Sequence, residues 1–261
     1  VYSCAYFTRD DASLEEAQLA KFDLVCRKLR LRPGDRVVEA GCGWGGLALY
    51  MAREYGVTVR AYNISRQQIR WARERAVREG LDDRVEFVED DYRTINGRYD
   101  CFVSIGMMEH VGSTAYPNFG RLIDRCLGDN GRGLLHTIGQ SVPLPVSEWL
   151  GTRIFPGAYP PTLREIAATL EPSGLNIVDV ENLRRHYAKT CGQWLSRFDA
   201  HVEEIQKSYG EAFVRAWRLY LTGSSAHFDT GSLQLFQVLF SRPCVTDVPL
   251  TRDYMLPKAP L

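Results

Sequence analysis

Apolar and polar residues follow a pattern along this chain that predicts strands and helices in alternation. Short apolar runs rich in β-branched residues are typical of buried parallel strands, and apolar stripes with a spacing of three or four residues are typical of helices. The predicted strands are residues 36–40, 57–61, 85–88, 99–105, 133–138, 175–180 and 233–240. The predicted helices are residues 14–29 with a capping box at Ser13 and Glu16, 66–79 with Ser65 as its cap, and 47–52, 116–127, 163–170 and 187–221. This order predicts an α/β fold.

One segment departs from the alternation. Residues 140–161 are rich in proline and carry Trp149, Phe155 and Tyr159, which indicates an insertion rather than a further strand. A chain of 261 residues can bury one sizeable core. We therefore expect residues 1–261 to form a single domain.

Composition argues against several classes of function. The 32 basic residues balance 32 acidic residues, so charge gives no reason to expect nucleic acid as a partner. The seven cysteines are scattered without a CxxC pair, which argues against disulfides and a metal site and favours a cytoplasmic location. The longest uncharged apolar run, residues 101–108, is too short to span a bilayer, and no signal peptide precedes it. Any membrane contact should therefore be peripheral.

A glycine-rich turn joins the first strand to the following helix and indicates a nucleotide cofactor. Gly41-x-Gly43-x-x-Gly46 fits the dinucleotide fingerprint, while Glu39-x-Gly41-x-Gly43 fits the first motif of S-adenosylmethionine (SAM) methyltransferases. A dinucleotide site usually has a carboxylate after the second strand, where this chain has residues 62–65, Tyr-Asn-Ile-Ser. The missing carboxylate disfavours NAD without excluding it. A turn that serves only strand-to-helix packing is a third interpretation.

Six separated blocks carry a family resemblance. They are YSCAYF at residues 2–7, GCGWGG at 41–46, SIGMMEHVG at 104–112, LLHTIG at 134–139, IFPG at 154–157 and HYAKT at 186–190. In these blocks the chain resembles the cyclopropane-fatty-acid synthases and the mycolic acid cyclopropane synthases. The resemblance implies SAM as the cofactor. It also implies a class I SAM-dependent methyltransferase fold, which is Rossmann-like with a seven-stranded, mostly parallel sheet whose last strand runs antiparallel.

The resemblance further implies a reaction and its site. The expected reaction transfers the SAM methyl group to the cis double bond of an unsaturated acyl chain, forming a cyclopropane with bicarbonate as the general base. The implied catalytic residues, which would hold the bicarbonate, are Cys4, Glu109, His136, Ile138 through its backbone, and Tyr187. The implied cofactor-binding residues are Tyr2, Ser3, Gly41, Cys42, Gly43, Asn63, Ile64, Gln68, Asp91, Tyr92 and Ile105. His110, His186 and His227 are not part of this predicted set.

Such a reaction leaves a carbocation on the acyl chain, and aromatic faces can stabilise it without attacking it. Aromatic residues of the matching blocks and of the insertion are the candidates, namely Tyr6, Phe7, Trp149, Phe155 and Tyr187. Taken singly, each candidate residue also has an ordinary structural role to play. The joint occurrence of Glu109, His136 and Tyr187 in matching blocks favours function.

The resemblance sets the expected organisation and partners as well. Residues 1–30 should form a helical lid, and residues 140–225 a substrate-binding insertion that caps the acyl chain. The substrate should be a membrane phospholipid, reached by peripheral contact with the inner face of the membrane. Full-length bacterial relatives carry a domain before the first block, so we expect an upstream domain to be missing before Val1. That expectation leaves a homodimer as an open alternative to a monomer.

Three other functions stay open at this point. The same cofactor and cation could give a methylene- or methyl-branched fatty acid, or could act on an alkene that is not a lipid. An NAD-dependent oxidoreductase would belong to a different class of enzyme. A lipid-binding homologue without turnover is the third alternative, and it would not need Glu109, His136 and Tyr187 together.

Overall fold

Seven strands form one mixed sheet in the order β3-β2-β1-β4-β5-β7-β6. The computed structural model describes residues 1–256. The strands are β1 (Arg36–Ala40), β2 (Thr58–Asn63), β3 (Val85–Glu89), β4 (Tyr99–Ile105), β5 (Leu127–Gly139), β6 (Asn176–Asn182) and β7 (Gln234–Ser241). Strand β7 runs antiparallel to both of its neighbours, while the other pairs are parallel. The predicted seven-stranded, mostly parallel sheet is confirmed.

Helices cover both faces of the sheet and extend beyond its edge. They are α1 (Leu14–Lys28), α2 (Gly46–Tyr55), α3 (Arg66–Glu79), α4 (Met108–Val111), α5 (Tyr116–Cys126), α6 (Glu148–Arg153), α7 (Leu163–Leu170), α8 (Arg184–Ala200), α9 (Val202–Tyr209) and α10 (Glu211–Thr230). One apolar core joins the sheet to α1, α2 and α3, and a second joins its other face to α5 and α7. Within residues 1–256, no helix is long and apolar enough to cross a bilayer.

Alternation along the strands assigns each side chain to one of these two cores. Val37 and Val103 face α1–α3, whereas Val38 and Phe102 face α5 and α7. Because successive side chains of a strand point to opposite faces, Glu39 and Ile105 lie on the same face as Val37 and Val103. The register pairs Ile105 with His136, and His136 with Gln237, so this face carries polar side chains near the carboxyl edge of the sheet.

Local sequence signals predicted the position of most helices and strands correctly. Ser13 and Glu16 form the predicted capping box of α1. Helix α3 spans the predicted residues and ends at Gly80 in the left-handed conformation. Ser65 is the N-cap residue of α3, as predicted, but its side chain makes no capping hydrogen bond. Instead, the Ser65 N–H donates to Asn63 Oδ1 at 3.2 Å.

Two predicted elements differ from the structure. The helix predicted over residues 187–221 is three helices, because His201 leaves the helical region and Gly210 takes φ 84° between α9 and α10. Strand β5 begins at Leu127, earlier than the predicted residue 133, because residues 128–132 are polar and glycine-rich and give no strand pattern. The insertion at residues 140–161 contains the short helix α6 and an isolated bridge from Gln140 to Thr162.

Candidate active site

A cavity of about 660 Å³ lies at the carboxyl edge of β1, β2 and β4. The N-terminal residues 1–3 contribute to its wall. Most of the residues predicted to bind the cofactor line it, namely Tyr2, Ser3, Gly41, Cys42, Gly43, Asn63, Ile64, Gln68 and Ile105. Open α/β sheets bind ligands at this edge, where loops from several strands converge. The structure therefore brings these separated residues together around one space.

The glycine turn is shaped to leave room in this cavity. The N–H groups of Gly41 and Cys42 both donate to the carbonyl oxygen of Tyr62 at 3.0 Å, which ties the turn to the end of β2. Gly45 caps α2 with φ 76°, and an added Cβ would lie 2.6 Å from the Phe87 ring. Gly43 has φ 53°, and an added Cβ there would meet nothing within 4 Å. Gly45 is thus required by packing, while Gly43 faces open space.

Two polar side chains beside the turn hold each other in place. Asn63 Nδ2 donates to Gln68 Oε1 at 2.6 Å and to the Gly43 carbonyl oxygen at 3.1 Å. Both residues line the cavity. Their remaining polar atoms are fixed before any ligand arrives, which lowers the entropy cost of binding.

Asp91 and Tyr92 are not brought into the cavity wall. The Asp91 carboxylate accepts two hydrogen bonds of 2.8 Å from the Arg93 guanidinium, and this interaction lowers the pKa of Asp91. Tyr92 packs edge-on against Phe119, with ring centroids 5.5 Å apart. Both follow β3, which pairs with β2, and the Asp90 N–H donates to the carbonyl oxygen of the cavity residue Asn63 at 3.2 Å.

Two charged residues in the cavity wall were missed as site residues. Lys21 and Glu39 are only 1% and 3% exposed, and both line the cavity. Lys21 Nζ donates to Ser3 Oγ at 2.9 Å, while Glu39 Oε2 has no partner among the described residues. Burial raises the pKa of Glu39 to about 7 and lowers that of Lys21 to about 8. The sequence carried a signal for Lys21, because a lysine on the apolar stripe of α1 is unusual.

Other residues missed by sequence reasoning complete the wall. Trp44 and Trp71 contact each other edge-on, with ring centroids 5.6 Å apart, at the mouth of the cavity. His110 also lines the cavity, and its ring lies 5.7 Å from that of Phe155. His110 was not part of the predicted set.

Glu109 is buried next to the end of β5. Its Oε2 accepts a hydrogen bond of 2.7 Å from Thr137 Oγ1, and its Oε1 accepts a longer one of 3.4 Å from the Ile138 N–H. Burial raises the pKa of Glu109, and these two hydrogen bonds oppose that rise. A carboxyl group with a raised pKa keeps its proton to a higher pH than an ordinary glutamate does.

His136 lies one residue before Thr137 and is 2% exposed. Its Nδ1 is 3.0 Å from Nε2 of Gln237 on the neighbouring strand β7. Its Nε2 is buried and has no partner within residues 1–256. Burial, assisted by the positive charges of Lys21 and Lys28, holds the pKa of His136 well below its ordinary value. The ring is therefore neutral and has one unused polar atom.

Cys4, Ile138 and Tyr187 meet in one apolar cluster with Leu183, Cys191, Phe228 and Leu235. Tyr187 stacks on Phe228 with centroids 4.4 Å apart, and burial raises the pKa of its phenol well above the ordinary range. The nearby Cys4 and Glu109 add to that rise, which indicates that the three groups are close enough to interact. The Cys4 thiol donates to the Ala5 carbonyl oxygen at 3.2 Å.

Two contacts connect this buried cluster to the cavity. The Gly106 N–H donates to the His136 carbonyl oxygen at 2.8 Å, and an added Cβ on Gly106 would lie 4.0 Å from Glu109 Oε1. Tyr2 stacks on Trp194 at 4.8 Å, and Trp194 packs edge-on against Tyr187 at 6.0 Å. Gly106 and Tyr2 both line the cavity. The cavity and the cluster are thus adjacent parts of one site.

The candidate aromatic residues lie in different places around this site. Tyr6 and Phe7 stack on His186, with centroids 4.6 and 6.4 Å apart, on the N-terminal side. Phe155 contacts Tyr220 at 5.4 Å, and the Tyr220 hydroxyl is 2.6 Å from that of Tyr2. A further apolar cluster holds Trp149 and Phe155 against α8, α9 and α10. The predicted stripe from Trp194 to Tyr220 is partly core, since Phe198 and Tyr220 are buried while Tyr209 is 68% exposed.

Comparisons with known proteins show which proteins this chain is similar to. The family described as mycolic acid cyclopropane synthetase matches residues 1–238. A cyclopropane-fatty-acyl-phospholipid synthase from Escherichia coli is 43% identical over 242 residues, which are 92% of this chain and 62% of that protein. A probable fatty acid methyltransferase from Pseudomonas putida is 38% identical over 265 residues, covering 97% of this chain and 67% of that protein. The chain thus spans about two thirds of the length of these relatives.

A solved structure gives the same fold. A mycolic acid cyclopropane synthase in complex with SAH and CTAB superposes with a TM-score of 0.88 at 31% identity, covering 93% of this chain and 90% of that one. The predicted class I SAM-dependent methyltransferase fold is confirmed. The family match also favours a methyl donor over the dinucleotide alternative. The chain belongs to the family of the mycolic acid and fatty acid cyclopropane synthases.

Proposed function

We propose that this protein transfers the methyl group of SAM to the cis double bond of an unsaturated acyl chain of a phospholipid and closes a cyclopropane ring. The observation that carries the proposal is the joint position of two features. A cavity built on the glycine turn adjoins several buried groups, because Gly106 lines the cavity and its N–H donates to the His136 carbonyl oxygen. Glu109 accepts from the Ile138 N–H, and Ile138 shares one apolar cluster with Tyr187. Such a site can align two reactants and exclude water, which together supply several kcal/mol of a reaction barrier.

The cavity residues fit SAM. Gly43 leaves space for close approach of a ligand to the backbone, and the polar pair of Asn63 and Gln68 can meet ribose hydroxyls. Glu39 offers a buried carboxylate oxygen without a partner to a cationic ligand. When bound, SAM supplies an electrophilic methyl group on a positively charged sulfur. Asp91 and Tyr92 follow Asp90, whose N–H donates to the carbonyl oxygen of the cavity residue Asn63 at 3.2 Å, and we propose that they also contact the cofactor.

The buried set fits a small planar oxyanion such as bicarbonate. His136 Nε2 is a buried polar atom in need of a partner, and the Tyr187 phenol is held in its neutral, donating form by its raised pKa. Glu109 can accept a hydrogen bond, and Cys4 can offer a weak S–H. The Ile138 N–H is already turned towards Glu109 Oε1. Bicarbonate held by these groups would supply the base that accepts the proton lost from the transferred methyl group.

The aromatic walls suit the cation that methyl transfer leaves on the acyl chain. Phe155 lies between His110 of the cavity and Tyr220 of the buried wall, so its face can stabilise positive charge there. We propose that residues 1–30 act as the lid, because Tyr2, Ser3 and Lys21 all contribute to the cavity wall. We likewise propose that residues 140–225 form the acyl-binding cap. Peripheral contact with the inner face of the membrane would give access to the lipid.

A direct assay tests the proposal. Purified protein, SAM and vesicles of an unsaturated phospholipid are incubated in buffer freed of carbon dioxide, with or without added bicarbonate. Mass spectrometry should show a gain of one CH2 per modified acyl chain, and the gain should be faster with bicarbonate. Calorimetry should show binding of SAM and no binding of NADH. No gain on any unsaturated acyl substrate, despite SAM binding, would refute the proposed reaction.

One alternative product has support of its own. The relative from Pseudomonas putida is named a probable fatty acid methyltransferase. The same cation could lose a proton from the adjacent chain carbon to give a methyl-branched alkene, or undergo a 1,2-hydride shift and then lose a methyl proton to give a methylene branch. The mass gain alone does not separate a ring from a methylene branch. Proton NMR of the extracted lipid does, because cyclopropane protons and vinylic methylene protons have different shifts. A vinylic signal would move the assignment to the branched product.

A further inference from the structure

Gln237 is the residue through which His136 is held. Register places the two directly opposite each other on β5 and β7, and their side chains meet through Gln237 Nε2 and His136 Nδ1 at 3.0 Å. Gln237 is fully buried, and its Oε1 makes no hydrogen bond within residues 1–256. The ring thus has a single side-chain partner in the described part of the chain, and that partner acts on Nδ1.

A neutral imidazole carries one proton, and its partner decides which nitrogen holds it. The Gln237 NH2 group donates to Nδ1, so Nδ1 must be the lone-pair nitrogen and Nε2 must carry the hydrogen. Rotation of the amide by half a turn would reverse both assignments. The tautomer assignment therefore follows from the orientation that the structure holds, in which Nε2 of Gln237 faces Nδ1 of His136.

We propose that Gln237 is a positioning residue that fixes His136 as its Nε2–H tautomer and so makes the ring a neutral hydrogen-bond donor. This inference rests on the proposed function only in taking His136 as part of the reaction site. It assigns His136 the task of orienting an oxyanion, because a ring with its proton fixed on Nε2 donates a hydrogen bond and does not remove a proton. The free Nε2 is then the donor that the oxyanion would meet.

Tautomers can be measured without turnover. Protein labelled with nitrogen-15 in its five histidines gives separate two-bond proton–nitrogen patterns for Nε2–H rings, Nδ1–H rings and charged rings. The His136 signals are those that disappear in His136→Asn. We expect an Nε2–H pattern that persists across neutral pH. An Nδ1–H or charged pattern in the wild-type protein would overturn the inference, whatever the enzyme does with lipid.

Variants of Gln237 connect the tautomer to the reaction. Gln237→Glu has nearly the same shape but presents only acceptor atoms, so we expect Nδ1 to become protonated. Gln237→Leu removes the donor, and the His136 signals should become a mixture of tautomers. The kcat of Gln237→Leu should fall by about ten- to a hundredfold, as for loss of one buried hydrogen bond, while SAM affinity stays unchanged.

Gln234 provides the matched control on the same strand. It is partly buried and donates to the Gly231 carbonyl oxygen at 2.6 Å, away from His136. Gln234→Leu should leave both the His136 pattern and kcat as in the wild type. A Gln237→Leu protein that keeps the wild-type pattern and kcat would refute a positioning role. Failure of the wild type to modify lipid, with the Nε2–H pattern intact, would count against the proposed function and leave the tautomer assignment standing.

Discussion

Lys21 and Glu39 lie buried in the wall of one cavity, and each shifts the pKa of the other towards its charged form. Burial outweighs this mutual effect, so the pKa of Glu39 is about 7 and that of Lys21 about 8. Near neutral pH, Glu39 and Lys21 are therefore each only partly in their charged form. A cationic ligand would complete the ionisation of Glu39, because a positive charge beside a carboxyl group lowers its pKa.

This predicts that SAM binding depends on pH. Below pH 7, Glu39 in the free protein is largely protonated, and binding of the sulfonium cation must release that proton. The affinity should therefore fall as pH decreases from 7 to 5, by at most about tenfold per pH unit. Calorimetry in two buffers of different ionisation enthalpy measures both the affinity and the proton release. Glu39→Gln should remove the dependence, while Glu54→Gln, on an exposed carboxylate, should keep it. A constant affinity in the wild-type protein would exclude Glu39 as the titrating group.

Alanine substitutions at two glycines of the turn should impair different properties, stability in one case and SAM binding in the other. Both Gly43 and Gly45 have positive φ, so alanine at either position costs about 1–2 kcal/mol of backbone strain. Gly45→Ala adds a clash with Phe87, and should lower the melting temperature by more than the strain alone. Gly43→Ala has open space, and should fold with a smaller loss but bind SAM more weakly. Thermal unfolding and calorimetry separate the two effects. Equal melting temperatures for the two variants would contradict the packing role of Gly45.

The sequence predicted the sheet well because its strands are buried and locally consistent. β propensity, periodicity and position between helices all predict strands at the same buried residues, namely Val37, Val38, Val59 and Val103. The division of the region after Tyr187 into separate helices was harder to predict from the sequence. Its aromatic residues continue across Gly210, and only the left-handed backbone at that glycine separates α9 from α10. Periodicity does not report such a break when the apolar stripe resumes on the other side.

Motifs in the sequence predicted most of the residues that line the cavity. Gly41 and Gly43 follow β1, Ile105 ends β4, and these two strands meet at the cavity. Lys21 and Gln237 were missed. Each is a polar residue at an apolar position of its element, and its partner is far away in sequence. Ser3 and Glu39 near Lys21, and His136 beside Gln237, become visible only when the chain is folded.

Removal of the Glu109 charge should separate catalysis from cofactor binding. Glu109→Gln keeps the shape of the side chain and loses the ability to exchange a proton. We expect kcat to fall by about 10²- to 10⁴-fold, with SAM affinity nearly intact because Glu109 does not line the cavity. Glu148→Gln, on the exposed start of α6, is the matched control and should behave as wild type. Equal activity of Glu109→Gln would remove Glu109 from the mechanism.

Thr137 should set the pH dependence of Glu109. Its hydroxyl donates to Glu109 Oε2 and lowers the pKa of that carboxyl group. Thr137→Val removes the bond, so the pKa of Glu109 should rise further and the acidic limb of the kcat profile should move to higher pH. Thr137→Ser keeps the hydroxyl and should restore the wild-type profile. An acidic limb that stays in place in Thr137→Val would show that another group controls it.

Phe155 offers the sharpest test of cation stabilisation, because it lies between the cavity residue His110 and the buried Tyr220. Leucine fills much of the same volume but has no π face, so Phe155→Leu keeps the wall apolar and removes the electrostatic attraction. A loss of about 0.5–2 kcal/mol corresponds to a roughly 2- to 30-fold lower kcat. Tyr209→Leu, at an exposed aromatic residue of the same cap, should not change kcat. Initial rates with saturating SAM and lipid measure the effect. A change in KM for lipid with kcat intact would make Phe155 part of the binding surface only, because stabilisation of a cation acts on the transition state and not on the bound substrate.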